Sequence, residues 1–119
     1  MGIIMLTKDQ ILNAEDKQTE IVHVPEWGGD VKIAMMSGFS RDEFEGSLVG
    51  ANGGSNMSNV RAKLVAACVV DEDNKIMFTA KDIAKLGQKS GAALDRIFSA
   101  AKKLNKIDND DVEELAKNS

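Results

Sequence analysis

The chain has 119 residues, 43% of them hydrophobic and 29% charged, with a net charge of −4. That is one ordinary domain of soluble globular composition, and its overall charge does not suit a nucleic-acid surface. One Cys excludes an internal disulfide and points to a reducing compartment, and one His excludes a zinc site built from Cys and His. No apolar run approaches the ~20 residues that span a bilayer, and Met1–Leu6 lacks the basic start of a signal peptide. With no Tyr, most catalytic constellations cannot be assembled, so composition favours a cytoplasmic binding or assembly protein with no metal and no cofactor.

Thr7–Asn13 reads as a short helix, because Thr7 and Gln10 form a capping-box pair and Leu6, Ile11 and Leu12 supply apolar positions. Two β-branched runs follow, Ile21–Val24 and Val31–Met36, separated by Pro25 and by Trp27-Gly28-Gly29-Asp30. They predict a β-hairpin over about 20–37. In the second run Val31, Ile33 and Met35 point one way, and Lys32, Ala34 and Met36 the other. A lone hairpin is marginal in water, so it must lie on helices or pair with another chain.

Ser40-Arg41-Asp42-Glu43 reads as a capping box opening a helix to about Leu48, with Phe44 and Leu48 buried. Residues 49–56 (VGANGGSN) form a Gly-rich stretch expected to be a mobile loop. A longer helix is expected from Ser58 or Asn59 through Val70, with Val60, Leu64 and Cys68 inside, ended by Asp71–Asn74. Thr79–Asp82 is a second capping-box start, leading to Ile83 and Leu86 and stopped by Gly87. Ser90 caps an amphipathic helix with Leu94, Ile97, Phe98 and Leu104 inward. A short acidic helix is expected from Asp108 or Asn109. The expected fold is α+β and mainly helical: one hairpin on about five helices, in a single domain over 1–119 whose helical part is 39–119.

Cys68 reads as a core thiol and His23 as a structural or surface side chain. Asp71–Asn74 lacks the spacing of a calcium loop, and the Gly-rich stretch lacks the Lys-Ser/Thr of a phosphate loop. The span 80–107 carries a net +5, so Lys85, Lys89, Arg96, Lys102, Lys103 and Lys106 are candidates for an electrostatic association face. The same residues allow a small helix-turn-helix DNA-binding regulator as an alternative. The six Met suit a surface that adapts to varied partners. Trp27, Ile33, Met35 and Met36 of the hairpin are the candidate partner-binding residues, so Met35→Asp or Trp27→Ala should weaken association and leave the helices intact.

The second half has a distinctive order: Ala66-Ala67-Cys68-Val69-Val70, the acidic turn Asp71–Lys75, Ile76-Met77-Phe78, Asp82–Leu86, the Gly87–Gly91 break, and a helix ending Lys103-Leu104-Asn105. This resembles the tail assembly chaperones of lambdoid long-tailed bacteriophages, over about Val60 to the C-terminus. The resemblance implies a non-enzymatic protein of the host cytoplasm that binds the tape measure protein, keeps it soluble, self-associates and is absent from the finished particle. It also implies a frameshifted longer form that recruits the tail tube protein. Ala116-Lys117-Asn118 admits a slippery codon run, so the slip is expected there. A structural tail component is a further alternative.

Overall fold

The computed structural model describes residues 2–50, 54 and 57–107. The acidic helix expected after Ile107, the slip site and most of the Gly-rich stretch lie outside the described residues. The architecture is α+β: a three-stranded antiparallel sheet packed on helices.

The first helix, α1, spans Lys8–Leu12 and carries the expected capping box. Gln10 N donates to Thr7 Oγ1 at 3.2 Å, and Thr7 N donates to Gln10 Oε1 at 2.9 Å. Strands β1 (Thr19–Val24) and β2 (Gly29–Ala34) pair from Thr19 opposite Ala34 to Val24 opposite Gly29. A single 3-10 turn, Pro25–Trp27, joins them. Proline supplies the fixed φ that starts the turn, and Gly28 closes it at φ +71°, where a side chain would be strained.

Helix α2 spans Gly38–Gly46, starting earlier than the Ser40 box predicts. Ser37 is the cap: its hydroxyl accepts from Ser40 N at 3.1 Å, and Ser40 becomes a first-turn residue. Both serines offer the same chemistry, and capping at Ser37 adds a helical hydrogen bond, Arg41 N to Ser37 O.

Helix α3 spans Val60–Cys68 and stops two residues short of the expected end. Val69 and Val70 leave the helix as strand β3, which pairs with the free edge of β2 through Lys32 and Ile33. β-Branched side chains lose χ1 freedom in a helix, and the open β2 edge offers their backbone partners. The chain then turns at Asp71, whose Oδ1 accepts from Asp73 N and Lys75 N, and returns to bridge Val70 at Ile76. The acidic run is thus a tight turn.

The Thr79–Asp82 box is present and opens a 3-10 turn, Ala80–Asp82, that runs into α4 (Ile83–Leu86). Gly87 ends α4 without a left-handed backbone; a Cβ there would meet Asn59 Oδ1 at 2.7 Å, so its role is close approach. Helix α5 spans Gly91–Leu104, and Ser90 caps it as expected.

Helix α5 packs against α3, β1 and β2, and the core lies between them. Phe44, Leu48, Leu64, Cys68, Leu86, Leu94 and Ile97 are buried, while Val60, Phe78, Ile83, Phe98 and Leu104 are partly buried against them. Val24, Ile33, Val65, Val69 and Ala93 are buried with them, as are Ala62, Ala66, Ala101 and Ile107.

Candidate functional site

Cross-strand pairing sorts the sheet into two faces, since residues directly opposite each other share a side. Val22 with Val31, and Ile33 with Val69, form the face turned to α5. Ile21, Lys32 and Val70 form a row on the opposite, outer face.

On that face Ile21 is exposed and Val70 is buried, among the polar Thr19, His23, Asp30 and Lys32. A groove of about 720 Å³ takes in both faces, lined by Ile21 and Val70 of the outer row, Val31 and Val69 of the inner one, and Val65, Trp27, Met77 and Phe78, with Asp30, Lys32, Asp71 and Glu72 at its rim. Ile21, Ile76, Met77 and Trp27 are exposed, Trp27 at 39%. Contiguous exposed apolar surface of this kind marks interaction sites on soluble proteins. The rim holds three carboxylates and one amine, so the groove favours an apolar segment carrying positive charge.

Trp27 is held in place from behind. Glu26 beside it accepts from Arg96 Nε of α5 at 2.8 and 3.1 Å, which ties the hairpin tip to the helix. The Arg96 hydrogen bond, followed by a backbone hydrogen bond, lowers the Glu26 carboxyl below its ordinary value. At the same tip His23 Nδ1 lies 2.8 Å from Asp30 Oδ1, with both side chains exposed, so His23 is a surface side chain.

Of the candidate hairpin residues, only Trp27 lies in the groove. Ile33 is fully buried on the α5 side and offers a partner no surface. The alternation that groups Val31 with Ile33 is correct, but that row faces the core. Met35 and Met36 are half-buried and line a separate cavity with Leu12–Lys17 and Ile76. Six residues of β2, about 20 Å, separate them from Trp27. Sequence reading missed Ile21 and Met77; an apolar residue on the polar phase of β1 was the available signal.

The six basic candidates do not form one patch. Arg96 is paired with Glu26, and Lys102 Nζ sits 4.7 Å from the centre of the Phe98 ring. Lys85 and Lys89 precede α5, whereas Lys103 and Lys106 lie at its far end, about 20 Å of helix away. Helix α4 has four residues, a single turn, which is too short for the first helix of a helix-turn-helix.

A buried polar hub stands behind the site. Asn105, 5% exposed, accepts from Met36 N through Oδ1 at 2.7 Å. Its Nδ2 donates to Ala101 O at 2.9 Å and to Cys68 Sγ at 3.4 Å. Its carbonyl accepts from Arg41 Nη1 at 3.1 Å. One residue thus links the end of β2 to α2, α3 and α5. Burial pushes the Cys68 thiol up to about 12, against the opposing Asn105 hydrogen bond, so it is an inert core group. Among the described residues, no group of three or more His, Cys, Asp or Glu could hold a metal ion, and no helix is long and apolar enough to cross a membrane.

The fold and the groove thus define a small α+β protein with an open groove whose lining is mostly apolar. Among solved structures, the bacteriophage HK97 tail assembly chaperone shares this fold, with a TM-score of 0.56 and 19% identity over 81% of this chain and 94% of that chain. The resemblance seen in the residues of the second half therefore holds at the level of fold. No protein-family model matches the chain, and no curated protein matches it.

Proposed function

We propose that this protein is a phage tail assembly chaperone. The observation that carries the reading is the fold shared with the HK97 tail assembly chaperone across nearly the whole of that chain. The protein acts without catalysis, in the host cytoplasm, by covering apolar segments of a tail protein until they assemble. Its client is the tape measure protein, and the finished particle does not retain the chaperone. A frameshifted longer form recruits the tail tube protein.

The Ile21–Trp27–Met77 groove supplies the client surface. Ile21, Trp27 and Met77 present adaptable apolar area, and the acidic rim favours segments carrying Lys or Arg. Met35 and Met36 lie outside this groove.

Co-expression with the tape measure protein tests the reading, scored by soluble yield and co-elution. A tape measure that becomes soluble and elutes with this protein supports it. A tape measure that stays insoluble, with this protein eluting alone, overturns it.

A further inference from the structure

The two edges of the sheet meet different fates. The strand order is β1-β2-β3, so β1 and β3 are the edges. At β3 the chain covers its own edge. Met77 N donates to Val69 O at 3.1 Å and Asp71 N donates to Lys75 O at 2.8 Å, on either side of the bridge between Val70 and Ile76. At β1, no segment among the described residues pairs with the outer side.

Pairing between β1 and β2 determines which backbone groups that leaves open. Met35 N donates to Gln18 O at 2.9 Å, one step before Thr19 opposite Ala34, so these two opposed residues form a hydrogen-bonded pair. In an antiparallel ladder such pairs alternate with unbonded ones. Glu20, Val22 and Val24 therefore turn their N–H and C=O groups toward β2, and Thr19, Ile21 and His23 turn theirs outward.

Bare strand edges are templates for a further strand, and many proteins guard them with Lys, Pro or a bulge. Thr19–Val24 has no Lys and no Pro, and its six residues pair one to one with β2 without a bulge. Thr19, Ile21, Val22 and Val24 are β-branched, which suits an extended neighbour. An outward row of alternate N–H and C=O groups is satisfied by water or by extended backbone. A helix cannot serve, because its own groups are bonded within it.

Side chains along β1 set the chemistry of the partner. Thr19, Ile21 and His23 share the outer face, with Ile21 exposed. Glu20 is the one acid of the strand, lies on the other face, and has no Lys or Arg beside it in β1. An added strand with apolar side chains beside Ile21 and Lys or Arg beside Glu20 matches both faces.

We propose that the free edge of β1 takes an extended segment of a partner protein as an added strand, and that this segment alternates apolar with basic residues. Main-chain bonds to Thr19, Ile21 and His23 supply affinity, and Ile21 and Glu20 select the side chains. The proposal stands on the edge alone, whether or not the protein is a chaperone.

A short capped peptide of alternating Val and Lys is the probe. It is titrated into the isotopically labelled full chain, and amide hydrogen exchange is read residue by residue. Exchange should slow at Thr19, Ile21 and His23 and stay unchanged at Glu20, Val22 and Val24, whose N–H groups already bond to β2. Ile21→Pro removes one outward N–H and no bond to β2, a place where an edge strand accepts proline. It should weaken peptide binding at least about tenfold, the factor that about 1.4 kcal/mol supplies. The same peptide N-methylated at every residue should not bind; this control leaves the protein intact and decides the matter if Ile21→Pro does not fold. Absence of binding by the Val–Lys peptide overturns the proposal, as does protection without the alternation. Equal binding of the N-methylated peptide, or of a folded Ile21→Pro chain, overturns it too. Alternate protection that grows with concentration in the free chain would give the edge to a second copy and overturn it as well. A Val–Glu peptide that binds as tightly overturns the preference for basic residues. The probe is not a tail protein, so none of these outcomes bears on the chaperone reading.

Discussion

Replacing Asn105 with Ala should separate the hairpin from the helices at one point. The side chain accepts from Met36 N at 2.7 Å and donates to Ala101 O and Cys68 Sγ. Ala101 O keeps its helical partner, Asn105 N at 3.0 Å, so it is not orphaned. Met36 N loses its acceptor in a half-buried place, at a cost of about 1–3 kcal/mol. The space left by the amide adds roughly 1 kcal/mol. A total near 2–4 kcal/mol corresponds to a fall in Tm of about 8–16 °C in a chain of this size. Asn105→Asp keeps the acceptor for Met36 N but sets a carboxylate against Ala101 O. Its ionised form is disfavoured in the fold, so this variant should be weakest at neutral pH and recover as pH falls, whereas the Ala variant should not. Urea unfolding followed by far-UV dichroism and Trp27 emission measures both. A loss below about 0.5 kcal/mol for Asn105→Ala, the scale of an ordinary surface change, would refute the assignment of Asn105 as the clasp.

Met77→Asp and Ile21→Asp should abolish co-purification of the tape measure protein while leaving helix content unchanged, since both side chains are more than half exposed; intact co-purification would remove the groove from the client surface. Glu26 has a native value below its ordinary 4.5, so its pairing with Arg96 stabilises the fold above that pH and is lost as pH falls through the native value. Glu26→Gln should therefore flatten that part of the acid limb in a plot of Tm against pH, and an unchanged limb would contradict the pairing. Cys68, raised to about 12 by burial, should resist a thiol reagent in the native protein at pH 8 and react fully in urea. Fast native labelling would show that its packing opens readily.

Much of the fold was legible because its signals are local. Thr7 with Gln10, Thr79 with Asp82, and Ser90 are caps whose partners lie three residues away, and all three form as the spacing requires. The stripe Leu94, Ile97, Phe98 and Leu104 needs only helical periodicity to show which side of α5 turns inward. What the sequence concealed depends on partners far along the chain. Val69 and Val70 continue the apolar pattern of α3, and only the free edge of β2, some forty residues earlier, makes them a strand. Ser37 and Ser40 are equivalent caps on paper. Asn105 is a polar residue at a helix end until Met36 N, 69 residues away, arrives at its carboxamide.

The candidate site was the least legible part, and the reason lies in the two faces of the hairpin. Alternation shows that Val31 and Ile33 share a side with each other, but it cannot say which side meets a helix. Helix α5 covers the side bearing Ile33 and Val22, so the open side is the one bearing Ile21 and Lys32. There one strand contributes Ile21, the turn contributes Trp27, and the return from β3 contributes Met77, three segments that no spacing rule connects. A three-stranded sheet with one covered face leaves the other as a cost to the lone chain, in unpaired apolar area and in the bare edge of β1. Trp27 and Met77 shield that face only in part, so the groove, rather than the charged residues of α5, is the surface on which a partner has most to gain. Burying half-exposed Met77 and Ile21 returns roughly 25 cal/mol for each Å² removed from water, whereas Arg96 must first break its bond to Glu26 and Lys102 must leave the Phe98 ring.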